Sequence, residues 1–387
     1  MKKILLLSFV LLQISFVATA QEVANPANVT NYFAYNPAFA GSKNMWRVSI
    51  NNQLRWYNIT HKTAYNTFSV DLPYRNFGLG LLTSYNTLSP GFVNSGIQLA
   101  GAYRIKILGK FTFIPAIELE YNGFYLNTNQ LIFYDQLSVY DGIAAPSAAT
   151  LEFHSVHMLD ASAGFVFQLP IDLHTVRPWW FNFGYAYFHI PELRLNLSSH
   201  SPYYFSGKRV YHAGLLIPVA TKKRGVMLPE YKGLYAYPNV KITSYPNFTL
   251  FSGGLLLYRH PFMIGLSGQY YSTVSLYNKA QIILNIGVEK AFAHYFSAQF
   301  MYSVDFGSSI LNNTPLFITH EFSVILHFAN RRITDCPNNL KYNGKRKYPG
   351  YDTQQFIPGE CPPGMTRRRS GKDSYPTFYP VELPDVQ

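Results

Sequence analysis

Few residues in this 387-residue sequence have the types and spacing that catalysis or metal binding requires. His320-Glu321 lacks the second His of a zinc-protease helix, and it stands in a segment with the period-2 alternation of a strand. His154 and His157 have no nearby Cys or carboxylate cluster to complete a metal site, so we interpret them as surface or rim histidines. There is no nucleophile elbow, phosphate-binding loop or dinucleotide fingerprint. We therefore predict no catalytic, cofactor-binding or metal-binding residues, and a protein that is not an enzyme.

The elements that must position the charged residues are predicted strands. In Lys279–Phe328, three short segments alternate apolar and polar residues and are separated by little more than turns. Each is about as long as a strand that crosses a bilayer obliquely, roughly 9–11 residues. The same pattern predicts about 14 strands, with twelve or sixteen as alternatives, at residues 46–57, 63–72, 77–86, 95–107, 111–122, 158–168, 178–188, 208–219, 239–246, 248–258, 262–272, 280–291, 295–305 and 318–328. The predicted fold class is all-β, a transmembrane antiparallel barrel.

The charged residues identify the inner face of this barrel. In the first strand, Trp46 and Trp56 share one parity, whereas Arg47 and Arg55 share the other. A lipid-facing Arg near the middle of a membrane costs roughly 2–4 kcal/mol, so both arginines are expected in the lumen. The same reasoning assigns further charged residues to the lumen or its rims, namely Asp71, Arg104, Lys106, Glu118, Glu120, Asp160, Glu289 and Glu321. Such charges are ordinary inside barrels, and we do not interpret them as catalytic.

The first residues of the chain indicate export. Two lysines precede an apolar run from Ile4 to Val17, and Ala18-Thr19-Ala20 follows as a small-x-small cleavage pattern. We therefore predict a cleaved signal peptide at 1–20. The composition fits a membrane barrel, because charged residues make up only 13% of the chain against the usual share of roughly 25%.

An even number of strands places both ends of the barrel chain in the periplasm. The predicted organisation is a periplasmic segment at 21–45 that forms a tight lead into the barrel, the transmembrane barrel at 46–329 and a basic periplasmic tail at 330–387, with long outward loops at 123–157 and 189–207. We predict that the protein is a multi-pass component of the outer membrane.

Two basic segments fall on the predicted periplasmic side. The connection at 221–238 contains Lys222, Lys223 and Arg224, and the tail contains Arg367, Arg368 and Arg369. Export removes nucleic acid as a partner, so docking onto an acidic periplasmic protein, binding of anionic lipid headgroups and simple solvation remain as interpretations. Cys336 and Cys361 also lie in the tail, where an oxidising compartment would permit a disulfide between them.

Three short motifs carry a resemblance to a known family. They are Tyr35-Asn36-Pro37-Ala38-Phe39-Ala40-Gly41-Ser42 before the first strand, Gln53-Leu54-Arg55-Trp56 within it, and His320-Glu321-Phe322-Ser323-Val324-Ile325-Leu326-His327-Phe328 at the end of the barrel. In type and order they resemble the PorP/SprF family of outer-membrane proteins, which belongs to the type IX secretion and gliding-motility systems. The residues carried over as the family motif are Asn36, Pro37, Ala38, Gly41, His320 and Glu321. The basic tail departs from the usual family ending soon after the last strand.

The resemblance implies a partner-binding barrel without a cofactor. Its expected partners are periplasmic ring components of the secretion apparatus and exported adhesins, together with outer-membrane lipid. We predict that the basic periplasmic face docks onto a periplasmic component and that the barrel supports export or surface attachment of proteins. The alternative prediction is an outer-membrane channel for a small solute, and the sequence alone does not decide whether the lumen is open or filled.

Overall fold

The computed structural model describes residues 31–43, 45–55, 63–89, 91–107, 111–126, 136–138, 142–143, 155–171, 179–191, 193–195, 203–205, 207–220, 222–223, 226–227, 233–246, 248–273, 279–293, 296–308 and 318–329. Within these residues, fourteen antiparallel strands form one closed barrel. The strands are Met45–Arg55 (β1), Thr63–Tyr74 (β2), Phe77–Ser89 (β3), Phe92–Tyr103 continued by Ile105–Ile107 (β4), Phe111–Leu126 (β5), Ser155–Ile171 (β6), Trp179–Phe188 (β7), Lys208–Ala220 (β8), Leu234–Ser244 (β9), Phe248–Arg259 (β10), Phe262–Thr273 (β11), Lys279–Ala293 (β12), Phe296–Ser308 (β13) and Ile318–Ala329 (β14).

The barrel closes between its first and last strands. β1 pairs with β14 from Met45↔Ala329 to Leu54↔His320, and each of the other strands pairs with its neighbours along the chain. The predicted fold class and the count of 14 strands are thereby confirmed. Because neighbouring strands run in opposite directions, one rim contains Met45, Ala329 and the turn at 75–76. We call this rim proximal and the opposite rim distal.

The ninth strand differs in position from its prediction at 239–246. It begins at Leu234 and contains Pro238, which cannot donate to a ladder. On one side the ladder to β8 stops at Gly214↔Asn239 and resumes at Ile217↔Ala236, so Pro238 falls in an interruption of that ladder. The sheet therefore accepts this proline without losing the strand.

The two faces of the wall differ as the alternation predicts. Ile117 and Leu119 are 69% and 63% exposed, whereas Glu118 between them is 1% exposed. On β1, Trp46 is exposed and Arg47 is buried. Apolar side chains thus cover the outer surface, which is the surface that a membrane surrounds, and polar side chains are turned to the interior.

Three short hairpins of two or three residues per strand extend the connections between barrel strands. They pair Leu137–Ser138 with Gly142–Ile143, Leu193–Leu195 with Tyr203–Phe205, and Lys222–Lys223 with Val226–Met227. Among the described residues, no helix has the length and apolar character needed to cross a membrane.

Candidate functional site

The interior of the barrel contains a segment of the chain itself, residues 31–43, which we call the lumenal segment. It forms two short 3-10 turns, Phe33–Tyr35 and Pro37–Phe39, and the second turn packs against β3, β4, β5 and β6. Phe33 is 0% exposed and Phe39 is 1% exposed. Residues 31–43 belong to the segment predicted at 21–45 as a periplasmic lead, and their aromatic side chains pack inside the lumen, where they are removed from water.

Asn36, between the two turns, connects the lumenal segment to three strands. Its Oδ1 atom accepts a hydrogen bond from the backbone N–H of Ala38 at 2.9 Å, which caps the second turn. Its amide nitrogen lies 3.1 Å from the carbonyl oxygen of Phe165 on β6 and 3.3 Å from that of Tyr185 on β7. The same nitrogen lies 3.0 Å from Nε2 of His212 on β8. Asn36 is 0% exposed, so these contacts fix the segment at mid-barrel without competition from water.

Near the proximal rim, a buried ion pair holds the other end of the lumenal segment. Arg47 Nε donates to Asp71 Oδ1 at 2.7 Å, and both side chains are almost completely buried. The second carboxylate oxygen of Asp71 accepts from the backbone N–H of Gly41 at 3.0 Å. Arg104 Nη2 donates to the carbonyl oxygens of Gly41 and Ser42 at 2.9 and 3.0 Å. A carboxylate and a guanidinium thus hold one short stretch of backbone from two sides.

Gly41 allows this close approach. Its φ of +59° lies in the left-handed region that favours glycine. A Cβ at this position would stand 2.5 Å from the carbonyl oxygen of Leu72 and 2.6 Å from Cα of Gly78. Gly41 is one of the residues carried over by resemblance, and sterics explain why a glycine stands at this position.

The aromatic side chains of the lumenal segment extend the contact to β9. The Nζ atom of Lys241 lies 5.1 Å from the ring centre of Tyr35, a cation–π distance. Tyr35 also meets the ring of His212 edge-on, with centroids 5.3 Å apart. Burial raises the pKa of Tyr32 and of Tyr35 well above the ordinary value for a tyrosine, so both phenols stay neutral in the lumen.

Small inward side chains on the surrounding wall leave the space that the segment fills. A Cβ on Gly164 of β6 would stand 2.6 Å from Oδ1 of Asn36, and one on Gly80 of β3 would stand 2.8 Å from Cζ of Phe33. Alanines occupy neighbouring inward positions, and Ala100, Ala102 and Ala116 form one buried cluster with Phe33 and Phe39. The wall and the segment are therefore complementary in shape.

On the other side of the lumen, large side chains of the wall pack against one another. This cluster consists of Leu216, Tyr235, Tyr237, Leu256, Tyr258, Met263 and Met301, with Trp180 against it. Tyr258 Oη donates to Oε2 of Glu289 on β12 at 3.0 Å. Glu289 itself is 1% exposed. On this part of the wall, large inward side chains therefore pack against one another.

The residues assigned from the sequence to the lumen lie in different settings. Arg47, Asp71, Glu289 and Glu321 are buried on the inner face. Arg55, close to the distal rim, is partly exposed and places its guanidinium carbon 5.2 Å from the ring centre of Tyr65. Asp71 hydrogen-bonds both to Arg47 and to the lumenal segment at Gly41.

The other residues predicted from the sequence lie in several places. His320 is on the outer side of β14, where its Nδ1 lies 2.8 Å from Oη of Tyr302. Pro37 and Ala38 are buried within the second turn of the lumenal segment. The structure describes the backbone of Lys222 and Lys223 in a hairpin, whereas Arg224, Arg367, Arg368, Arg369, Cys336 and Cys361 lie outside the described residues.

The contacts of the site are those of a packing surface for the lumenal segment. In the described part of the chain, no group of three or more His, Cys, Asp or Glu side chains is placed to hold a metal ion. His189 Nδ1 makes a short contact with Oδ2 of Asp160. What the interior offers instead is a fitted surface for residues 31–43.

The sequence did carry a signal for this feature. Tyr32, Phe33, Tyr35 and Phe39 give the segment before the first strand an aromatic content that a solvated lead would not need. Inward-facing Gly78 and Gly80, on a strand that otherwise alternates regularly, indicated a second chain at close range. The turn residues of the motif predict only a tight lead into the barrel, because no sequence pattern connects its aromatic residues with the glycines of β3.

A search of protein-family models matches residues 19–326 to the family described as type IX secretion system membrane protein PorP/SprF. A search of curated protein sequences gives no match. Solved structures similar to the chain include a Pseudomonas aeruginosa FadL homologue, with 12% identity, a TM-score of 0.45, and 79% of this chain and 94% of that chain covered. The Pseudomonas putida toluene transporter TodX is similar at 10% identity and a TM-score of 0.44, with 81% and 95% covered. The CymD monoaromatic hydrocarbon channel has the same identity and TM-score, with 78% and 93% covered.

Proposed function

The chain belongs to the PorP/SprF family of type IX secretion system membrane proteins, and we propose that it acts as a non-enzymatic outer-membrane scaffold of that machinery. In this proposal the barrel docks on periplasmic ring components through a basic periplasmic face. It thereby supports the export or surface attachment of proteins, among them adhesins. The lumen has no conducting role in this function.

The observation that carries the proposal is the occupied lumen. Residues 31–43 reach from Asp71 on β2 to Lys241 on β9, and Lys43 Nζ approaches Nε2 of His327 on β14 at 3.4 Å. Large side chains of β8 to β13 pack against one another on another part of the inner wall. A solute would have to displace packed groups to pass, so the surfaces and rims of the barrel are better suited to function than its interior.

The position of the basic residues supports docking at the proximal rim. The connection with Lys222 and Lys223 follows β8, which ends at the same rim as β14. The tail that begins after Ala329 carries Arg367, Arg368 and Arg369. With the termini in the periplasm, both basic segments would face the same partner, and opposite charge on that partner would speed their encounter.

A deletion tests the docking. We expect that removal of 335–387 releases the periplasmic partner during purification from native membranes, while the barrel keeps its heat-modifiable migration on gels. Replacement of Arg367, Arg368 and Arg369 by Gln should weaken co-purification in the same direction, and added salt should weaken it further for the unmodified protein. Co-purification that survives the deletion at physiological salt would rule out an essential role for the tail.

Planar-bilayer conductance tests the alternative of a small-solute channel. Because residues 31–43 occupy the lumen, we expect the full-length protein to show no steady conductance as large as that of a porin. A stable conductance in the unmodified barrel would favour the channel and would remove the main support for a scaffold.

A further inference from the structure

The outer wall carries a groove of about 580 Å³ across β1 to β5, remote from the lumenal segment. Its lining changes in character along the strands. One row, nearer the middle of the wall, includes Ile50, Phe68 and Ile97. The next row towards the distal rim includes Asn52, Asn66 and Ser95. The inner row also contains Thr83 and Tyr121 and is mostly apolar, whereas the outer row carries the amides of Asn52 and Asn66.

The polar row is unusual for a membrane-facing surface. Asn52 Nδ2 donates to Oδ1 of Asn66 at 2.5 Å, and Asn66 Nδ2 donates to the carbonyl oxygen of Tyr85 at 3.2 Å. Each side-chain amide has two donor hydrogens and an oxygen with two acceptor sites, so both amides can form further hydrogen bonds. Hydrocarbon cannot satisfy that capacity, and a polar occupant can.

We propose that this groove binds an outer-membrane glycolipid. Its neutral, hydroxyl-rich headgroup would lie on Asn52 and Asn66, and its chains would follow Ile50 and Phe68 towards the middle of the membrane. The lining contains no Asp, Glu, Lys or Arg side chain, which disfavours a phosphate headgroup. The volume lies within the range of about 300–1,000 Å³ for small-molecule sites, whereas a protein partner needs a broad interface of about 800 Å² per side.

This site is independent of the docking proposal. It requires only that the barrel lies in a membrane and that its distal half faces the leaflet in which such lipids are found. The order of the lining matches the order of a lipid, with the polar end towards the rim and the apolar end towards the membrane centre. Tyr121, with its hydroxyl 2.9 Å from Nδ1 of His157, and Tyr125 border the same groove with amphipathic rings.

Native mass spectrometry of the full-length protein in nanodiscs tests the site. The nanodiscs contain phosphatidylethanolamine with a small fraction of a diacylglycerol bearing a neutral disaccharide, or of phosphatidylglycerol with the same chains. We expect the unmodified protein to retain the disaccharide lipid in preference to phosphatidylglycerol. The double variant Asn52→Leu/Asn66→Leu should bind it about ten-fold more weakly, which corresponds to about 1.4 kcal/mol.

The chain offers a matched control on the far wall. Thr249 and Ser272 are register partners that face outward from β10 and β11, as Asn52 and Asn66 do from β1 and β2. Thr249→Leu/Ser272→Leu should leave lipid retention unchanged. Tyr85→Phe, which removes one exposed hydroxyl, should cause a smaller loss and decides the question if the double variant does not fold. Equal retention of both lipids, undiminished binding by the groove variants, or a protein that co-purifies over the groove in place of lipid would overturn the proposal.

Discussion

The two halves of the barrel wall fill the lumen in different ways. Along β3 to β7, inward positions hold small residues, namely Gly78, Gly80, Ala100, Ala116, Gly164 and Ala186, and the lumenal segment occupies the space beside them. Along β9 to β13, inward positions hold large residues, namely Tyr235, Tyr237, Leu256, Tyr258, Met263 and Met301, which pack together. Both halves bury apolar side chains inside the barrel, but only the first half buries them against a separate piece of chain.

This difference divides the interior into a removable part and a permanent part. Residues 31–43 are joined to the first strand but belong to no strand themselves, so they could leave while the ladders of the wall remain. The Tyr, Leu and Met side chains of β9 to β13 are part of the wall and could not. Variants of the first half should therefore expose the lumenal segment, and variants of the second half should lower stability without exposing it.

The largest effect is expected from Gly164→Leu. Its side chain would occupy the position of Oδ1 of Asn36 and prevent the segment from seating. Phe33 and Phe39 would then lose burial worth about 1.5–3 kcal/mol each, about 3–6 kcal/mol together. In a Cys336→Ser/Cys361→Ser background, Ala38→Cys reports the release, because this position is 0% exposed when the segment is seated. Maleimide labelling should rise from negligible to complete.

Gly101→Leu is the matched control for that experiment. Gly101 shares the outward face of β4 with Leu99, which is 58% exposed, and a Cβ at Gly101 would meet nothing within 4 Å. Labelling should remain negligible in this variant. If Gly164→Leu folds and still protects Ala38→Cys, the shape complementarity between β6 and the segment does not determine its seating.

Asp71→Ala should have the next largest effect. Removal of the carboxylate leaves the buried Arg47 without its partner and the N–H of Gly41 without its acceptor, which should cost about 3–5 kcal/mol. Urea unfolding in detergent measures this change. The double variant Arg47→Ala/Asp71→Ala should lose less than the two single variants together, because the second change no longer strands a charge. Strict additivity would mean that the two side chains do not act as a pair.

Asn36→Ala compares the two halves directly. The loss of its hydrogen bonds should lower stability by about 1–3 kcal/mol and raise labelling of Ala38→Cys, because the segment loses its link to β6 and β7. Asn285→Ala removes an amide of the other half, where Oδ1 of Asn285 accepts from Oγ of Ser303 at 2.7 Å. It should lower stability without changing the labelling. If Ala38→Cys were labelled equally in the Asn36→Ala and Asn285→Ala variants, the lumenal segment would not be separable from the rest of the interior.

The wall was predictable from the sequence because the residues of each strand alternate between apolar side chains that face lipid and polar side chains that face the lumen. Trp46, Arg47, Val48 and Ser49 alternate between lipid and lumen, and the cost of a charged residue in lipid fixes which parity is which. Strand ends were less predictable, since β9 continues through Pro238 where local preference indicates a break. The ladder to β8 tolerates that proline, and such tolerance depends on the neighbouring strand.

The interior was not predictable in the same way. Packing between residue 36 and residues 165, 185 and 212 joins positions more than a hundred residues apart, and no periodicity in the sequence connects them. The resemblance marked Asn36, Pro37, Ala38 and Gly41 as a motif without a physical reason for it. The structure supplies a reason in three forms, a cap at Asn36, a buried turn at Pro37 and Ala38, and a left-handed backbone at Gly41.

The smallest expected effect comes from Tyr258→Phe, in the half of the wall formed by β9 to β13. The variant keeps the ring in its cluster and removes only the hydroxyl that donates to Glu289, so stability should fall by about 0.5–1.5 kcal/mol. Tyr270→Phe, at an outward position that is 41% exposed, is the control and should change stability by less than about 0.5 kcal/mol. Labelling of Ala38→Cys should stay negligible in both, since neither hydroxyl contacts the segment. If Tyr258→Phe released the segment, the two halves would be energetically coupled across the lumen, and the interior would behave as a single core.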